Sequence, residues 1–205
     1  MATQAVIRHF ERVALDYPHL RERWPLGRWR RHEEHAVAAL AQIAPGERVL
    51  DVGCGDGVTL TWLARVGARA VGVDVTRPMA AHCRRRGFDV CVQDMERLGF
   101  RACFDWVLCI GAMEFTAQPV LAVQSFATCL RPSGRLALLF PRRNLLGGLY
   151  AAYHRTHGIR ARRFSREEIT GLLRVVGLEV EAWRDCALSS VCRARQAGAD
   201  GARPT

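Results

Sequence analysis

Val49-Leu50-Asp51-Val52-Gly53-Cys54-Gly55-Asp56-Gly57 is the stretch that decides the fold. It begins as a short apolar strand over 48–52 and breaks into a glycine-rich turn. Residues 59–66 follow as a helix, with Leu60, Leu63 and Val66 on one face. Such a unit builds a cradle. Gly53 and Gly55 have no Cβ to hold the backbone off a ligand, and the helix aims its unpaired N–H groups at the same place. Spacing narrows the ligand. The dinucleotide fingerprint G-x-G-x-x-G needs a third glycine at position 58, where the chain has Val58. The pattern here is G-x-G-x-G, with Asp51 two residues ahead of it. A carboxylate at that strand end repels a pyrophosphate and suits a cation.

Outward from this turn, strand and helix alternate. Strands are expected at 70–75, 88–92, 104–110 and 135–140, with helices at 78–86 and 119–130. Upstream, residues 33–44 carry Val37, Leu40 and Ile43 at helical spacing, and Pro45-Gly46 stops that helix. Residues 1–32 read as a lid of helical pieces broken at Pro18 and Pro25. Residues 141–164 form an insert without strand character. Ser165 and Glu168 make a capping box for a further helix, which Gly177 ends. Residues 178–183 and 187–192 read as a final pair of strands. Apolar strands at short intervals argue for a parallel sheet covered by helices on both faces. Ligands in such sheets bind beyond the carboxyl ends of the strands.

The chain of 205 residues fits one domain, taken as 1–195, with 196–205 as a small polar tail. Residues are 49% apolar and 24% charged, which supports a real core. No apolar run is long enough to span a membrane, and no signal peptide opens the chain, so a cytoplasmic monomer or homodimer is expected. All 30 basic residues are Arg and the net charge is +10. The Arg are scattered, which permits an anionic partner without requiring nucleic acid. The eight Cys form no C-x-x-C pair and no zinc spacing with His, so reduced core thiols and no metal are expected.

Two acids stand in register with the glycine turn. Asp74 ends the second strand, where an acid can accept ribose hydroxyls, and Asp94 follows the third, within reach of an adenine amino group. With these acids and the glycine turn, the chain resembles the class I S-adenosylmethionine-dependent methyltransferases over residues 14–193. The resemblance rests on 50–57, Gly72-Val73-Asp74, Gln93-Asp94, 104–109 and 130–135. It implies a Rossmann-like α/β fold: a doubly wound seven-stranded sheet in the order 3-2-1-4-5-7-6, strand 7 antiparallel. It also implies S-adenosyl-L-methionine as cofactor and S-adenosyl-L-homocysteine as product. Asp51, Gly53, Cys54 and Gly55 would line the methionine end, Asp74 and Val75 the ribose, and Asp94 and Met95 the adenine. Ile110 and Gly111 would face the methionine amino group. Ala14 to Tyr17 resembles the family's A-x-x-Y segment, whose Tyr closes over the cofactor, though Pro18 stands where Asp often follows. Phe115 stands where the family often has His.

Candidate bases are Glu114 and the Tyr153, His154, His157 cluster in the insert, with Tyr150 beside it. The Arg-rich run 160–163 could meet an anionic group on the acceptor. No D/N-P-P-Y strand end and no Pro-Cys pair is present, which removes the DNA amino- and cytosine C5-type enzymes. The acceptor expected is a small molecule of cofactor or natural-product biosynthesis. The alternatives are an RNA or protein methyltransferase, and an enzyme that displaces intramolecularly on the cofactor's aminobutyl arm to yield methylthioadenosine.

Overall fold

The computed structural model describes residues 4–14, 16–17, 19 and 26–197. The expected breaks at Pro18 and Pro25, and the fraying of 198–205, lie outside them. The helices are α1 (Gln4–Val13), α2 (Leu26–Ala41), α3 (Val58–Arg65), α4 (Arg77–Arg85), α5 (Pro119–Cys129), α6 (Leu145–Thr156) and α7 (Arg166–Val175). The strands are β1 (Arg48–Val52), β2 (Arg69–Asp74), β3 (Val90–Val92), β4 (Phe104–Ile110), β5 (Leu130–Pro141), β6 (Leu178–Asp185) and β7 (Ser189–Gln196). They form one sheet in the order β3-β2-β1-β4-β5-β7-β6. The first five are parallel, and β7 runs antiparallel between β5 and β6.

Period-two alternation sends side chains to two cores. Leu50, Val52, Val107, Cys109, Leu136 and Leu138 face Phe126 of α5 and Ile169 and Leu173 of α7. Val49, Trp106, Leu108 and Ala137 face Leu60 and Leu63 of α3, Ala80 and Cys83 of α4, and Ala41 of α2. Both faces of the central strands are thus covered, which is why those strands read as unbroken apolar runs. All eight cysteines are free thiols, six of them buried. Among the described residues no helix is long and apolar enough to cross a membrane, and no group of His, Cys, Asp or Glu is disposed to hold a metal.

The element bounds differ most from expectation at four places, and several others move by one or two residues. Helix α2 starts at Leu26 and ends at Ala41, and Gln42, at φ 52°, turns the chain before Pro45 is reached. Strand β5 begins at Leu130, so Pro132-Ser133-Gly134 lies within it. A register shift against β4 absorbs the irregularity, and a Cβ on Gly134 would stand 3.0 Å from the Phe104 carbonyl oxygen. Helix α6 occupies the insert. Asn144 caps it by accepting from the Gly147 N–H at 2.8 Å. Leu145, Leu149 and Tyr153 are exposed along one side, so this helix lacks the usual contrast between apolar inner and polar outer faces. Strand β7 extends through Gln196, and the Ala197 N–H donates to Gly177 O at 2.8 Å, so ordered structure passes the expected boundary at 195.

The capping box at α7 is formed as read. Ser165 accepts from the Glu168 N–H, and Glu168 accepts from the Ser165 N–H. Ser165→Ala should therefore lower the unfolding free energy by about 1 kcal/mol, measured by urea denaturation. An unchanged midpoint would show that this helix end does not need its cap.

Candidate functional site

Strand order reverses between β1 and β4, and the glycine turn after β1 sits at that switch. The Gly53 and Cys54 amides both donate to Val73 O, at 2.8 and 3.0 Å, which pins the turn to β2. Gly53 has φ 74°, and a Cβ there would lie 2.3 Å from the Ala112 Cβ. The Gly55 amide donates to Asp74 Oδ2 at 3.0 Å. Asp74 Oδ1 accepts from the Thr76 N–H and hydroxyl, each at 2.8 Å. Three of the roughly four acceptor positions of a carboxylate are thereby used. Asp74 braces the loop and keeps one position for a ligand. Burial raises its pKa from the ordinary aspartate value, and the Thr76 and Gly55 bonds oppose that rise.

Asp51 is the unusual group. It is 1% exposed, and its Oδ2 has no hydrogen-bond partner. Burial, then the charges of Asp74 and Asp56, push its carboxyl up to about 8. An orphaned buried oxygen in an acidic pocket is the counterpart of a cationic ligand.

The space beside the turn has three connected parts. The outer cleft encloses about 720 Å³ with its mouth included. Gly53, Asp74, Val75, Asp94, Met95 and Gly111 line it, with Tyr17 and Phe10 in its wall. The rings of Tyr17 and Phe10 meet edge to face at 6.0 Å. The inner part is lined by Tyr17, Arg30, Glu33, Cys54, Gly55, Asp56, Ile110 and Gly111. A third part lies beneath α2 and holds Trp29, Arg30, Glu33, Glu114, Tyr150 and Ser189. Of the residues expected at the cofactor, all but Asp51 line the outer and inner parts, and Asp51 lies buried at the end of β1 without lining any of the three.

Of the four expected proton carriers, Tyr153 packs against both His154 and His157, whereas Glu114 is bonded to Tyr150. Glu114 is 2% exposed and accepts from the Tyr150 hydroxyl through Oε1 at 3.1 Å, while its Oε2 has no partner. Burial pushes its carboxyl up to about 7. His154 packs edge to face on Tyr150 at 4.4 Å and on Phe115 at 5.1 Å. Burial, then the charges of His9, Arg30 and His157, push its pKa down to about 4. Tyr153 is 56% exposed, and exposed His157 sets its Nδ1 3.0 Å from Tyr153 O. Only Glu114 of the four lines the third part of the cleft.

Three functional positions carried no readable signal. Thr76 braces Asp74. Buried Glu96 accepts from the Thr116 hydroxyl at 2.6 Å and the Ala117 and Gln118 amides at 3.1 Å each, which fixes the loop below Phe115. Arg30 lines both deeper parts, ringed by Tyr17, Tyr150, Glu33 and Glu114. In a chain with 30 Arg, nothing marks that one out.

Asp51 generates a linkage test. Between about pH 4 and 8 the folded protein keeps a proton on Asp51 that the unfolded chain has released. Its contribution to stability therefore falls as pH rises through that window. Glu114 and Asp74 slope the same way, so Asp51→Asn isolates the single group. The stability of Asp51→Asn relative to wild type should rise between pH 5 and pH 8, read from urea midpoints. Parallel curves would contradict the buried, proton-holding carboxyl.

Residues 50–138 match the family model described as a methyltransferase domain. A ubiquinone biosynthesis O-methyltransferase from Ralstonia nicotianae is 32% identical over 152 residues, 65% of this chain and 63% of that protein. The homologous enzyme of Xanthomonas campestris pv. campestris strain B100 is 33% identical over 102 residues, 46% of this chain and 43% of that protein. The chain thus spans less than two thirds of the length of either relative. Among solved structures, magnesium protoporphyrin IX methyltransferase from Synechocystis PCC 6803 with bound S-adenosylhomocysteine superposes with a TM-score of 0.77 at 19% identity, covering 94% of this chain and 98% of that one. The 1,6-didemethyltoxoflavin-N1-methyltransferase of Burkholderia thailandensis gives 0.66 at 20% identity, covering 92% and 90%. These two likenesses concern the fold. Residues 50–138 thus carry a match to a methyltransferase domain, and the seven-stranded order with β7 antiparallel is the one that the resemblance to the class I S-adenosylmethionine-dependent methyltransferases implies.

Proposed function

We propose that the chain binds S-adenosylmethionine in this cleft and directs its methyl group to a small-molecule acceptor, releasing S-adenosylhomocysteine. The observation that carries the reading is the orphaned Asp51 oxygen beside the glycine turn. That ligand has a sulfonium and an ammonium and no phosphate. Asp51, Gly53, Cys54 and Gly55 hold its methionine end, with Ile110 and Gly111 across from them. Arg30 supplies a cation for its carboxylate. Asp74 and Val75 take the ribose, and Asp94 and Met95 the adenine. Tyr17, with Phe10, covers the cleft. The bound cofactor supplies an electrophilic methyl on a positive sulfur with a good leaving group.

The protein's own work is orientation and water exclusion. Orientation alone supplies about 7–11 kcal/mol of such a barrier. Where the acceptor must lose a proton, Glu114 is the group to take it. It lies in the cleft, has an unpaired oxygen and is poised near neutrality. His154 is held neutral and weakly basic behind Tyr150, while Tyr153 and His157 sit outside. A small acceptor is supported by the activity of the relative, which concerns ubiquinone biosynthesis, and by those of the fold neighbours, which concern magnesium protoporphyrin IX and didemethyltoxoflavin.

Calorimetric titration with S-adenosylmethionine, S-adenosylhomocysteine and NAD tests the reading. Both adenosyl ligands should bind and NAD should not. The mass of the turnover product should be that of adenosylhomocysteine; methylthioadenosine would move the chemistry to intramolecular displacement. Asp74→Ala should weaken the adenosyl ligands by about 1–3 kcal/mol, through the lost ligand bond and the freed Gly55 amide. Equal affinity in that variant would remove Asp74 from the site.

A further inference from the structure

We propose that the methyl acceptor is a small amine, held by its N–H groups between Glu114 and Glu33 in the pocket beneath α2. The inference rests on the methyl-transfer reading and names its substrate class. The pocket adjoins the inner part of the cleft, and Arg30, Glu33, Gly111 and Leu139 line both. Gly111 has φ 69°, and a Cβ there would stand 3.9 Å from both Glu114 Oε1 and Leu139 Cδ2. The glycine therefore keeps the boundary between the two spaces clear of a side chain.

The buried polar atoms of this pocket that lack a partner are all acceptors. Glu114 is 2% exposed and Glu33 is 9% exposed. Each has one buried oxygen without a partner, Oε2 of Glu114 and Oε1 of Glu33. Tyr150 donates its proton to the other Glu114 oxygen at 3.1 Å, so it has none to spare for a ligand. Among the described residues lining the pocket, no buried donor is orphaned. The missing partner must therefore bring donors. A hydroxyl brings one, and a carboxylate or phosphate brings none while facing two acids. An ammonium brings three and carries the matching charge. Arg30 does not reverse this preference, because its guanidinium lines the inner part of the cleft as well and is there assigned to the carboxylate of S-adenosylmethionine. Trp29, Leu139 and Pro141 give the same pocket an apolar wall for the body of the molecule.

The step balances. The acceptor enters as an ammonium, and the Glu114 carboxylate takes one of its protons, which frees the nitrogen lone pair. That pair forms the new N–C bond to the methyl of S-adenosylmethionine. The S–C bond breaks with its electrons staying on sulfur, and adenosylhomocysteine leaves. The product is the N-methylated ammonium, and Glu114 returns its proton to solvent.

The test is a calorimetric titration of the protein with benzylamine, benzyl alcohol and benzoate, each with and without saturating S-adenosylhomocysteine. Benzylamine should bind at least about tenfold more tightly than benzyl alcohol, the difference expected for charge-assisted over neutral hydrogen bonds. Benzoate should bind most weakly. Glu114→Gln should cut the amine preference to about threefold or less while adenosylhomocysteine binds as before, which shows that the variant is folded. Glu33→Gln should lower amine affinity in the same direction. Equal binding of the three probes, tightest binding of benzoate, or an undiminished amine preference in folded Glu114→Gln would each overturn the proposal. Wild-type protein that prefers the amine but fails to bind adenosylhomocysteine would overturn the methyl-transfer reading and leave the amine site standing.

Discussion

The site depends on one attachment, the glycine turn tied beneath the end of β2. Two successive amides, Gly53 and Cys54, share the Val73 carbonyl, and a third, Gly55, reaches the Asp74 carboxylate. These bonds hold the turn flat against the neighbouring strand. They also consume donors that would otherwise face the ligand. The floor of the cleft is therefore backbone and acid, with little left to attract a phosphate. Gly53 allows this because its φ of 74° and the 2.3 Å approach to Ala112 both forbid a side chain.

That arrangement has an electrostatic cost. Asp51, Asp56 and Asp74 converge on one strand end, and burial adds to their mutual repulsion at Asp51. A protein selected only for stability would replace Asp51 with an apolar or amide residue. The carboxyl persists in the middle of a sheet that is otherwise dry on both faces. The stability given up there is recovered when a cation enters, and such recovery strengthens binding of a positively charged ligand over a neutral one.

Much of this was legible in the sequence because it resides in local spacing. The strand–turn–helix around Gly53, the acids at 74 and 94, and the Ser165–Glu168 box are short-range patterns, and each lies where its pattern puts it. The strand order came through resemblance, since no single chain segment encodes which strand lies beside which. What stayed hidden has tertiary causes. Helix α6 turns Leu145, Leu149 and Tyr153 outward, so its periodicity mimics disorder of pattern. Arg30 and Glu33 stand one helical turn apart among charged neighbours, and only the packing of α2 over Gly111 and Tyr150 distinguishes them. The His154 cluster looked like chemistry because its spacing is helical. The same spacing fits a packed aromatic helix, and the edge-to-face contacts with Tyr150 and Phe115 show that packing.

Phe115 connects these points. It stands where the family often has His, and in the structure it is a wall. Its ring meets Phe10 at 5.1 Å and His154 at 5.1 Å, closing the outer cleft against α1 and α6. An imidazole at that place would bring a polar ring into an apolar contact and a titrating group beside the cofactor. With phenylalanine there, the side chain one residue back is Glu114, whose bonds run the other way, to Tyr150 and the pocket beneath α2. The substitution therefore does more than delete a base. It separates the outer cleft, lined by Asp74 and Asp94, from an inner pocket lined by Glu33 and Glu114.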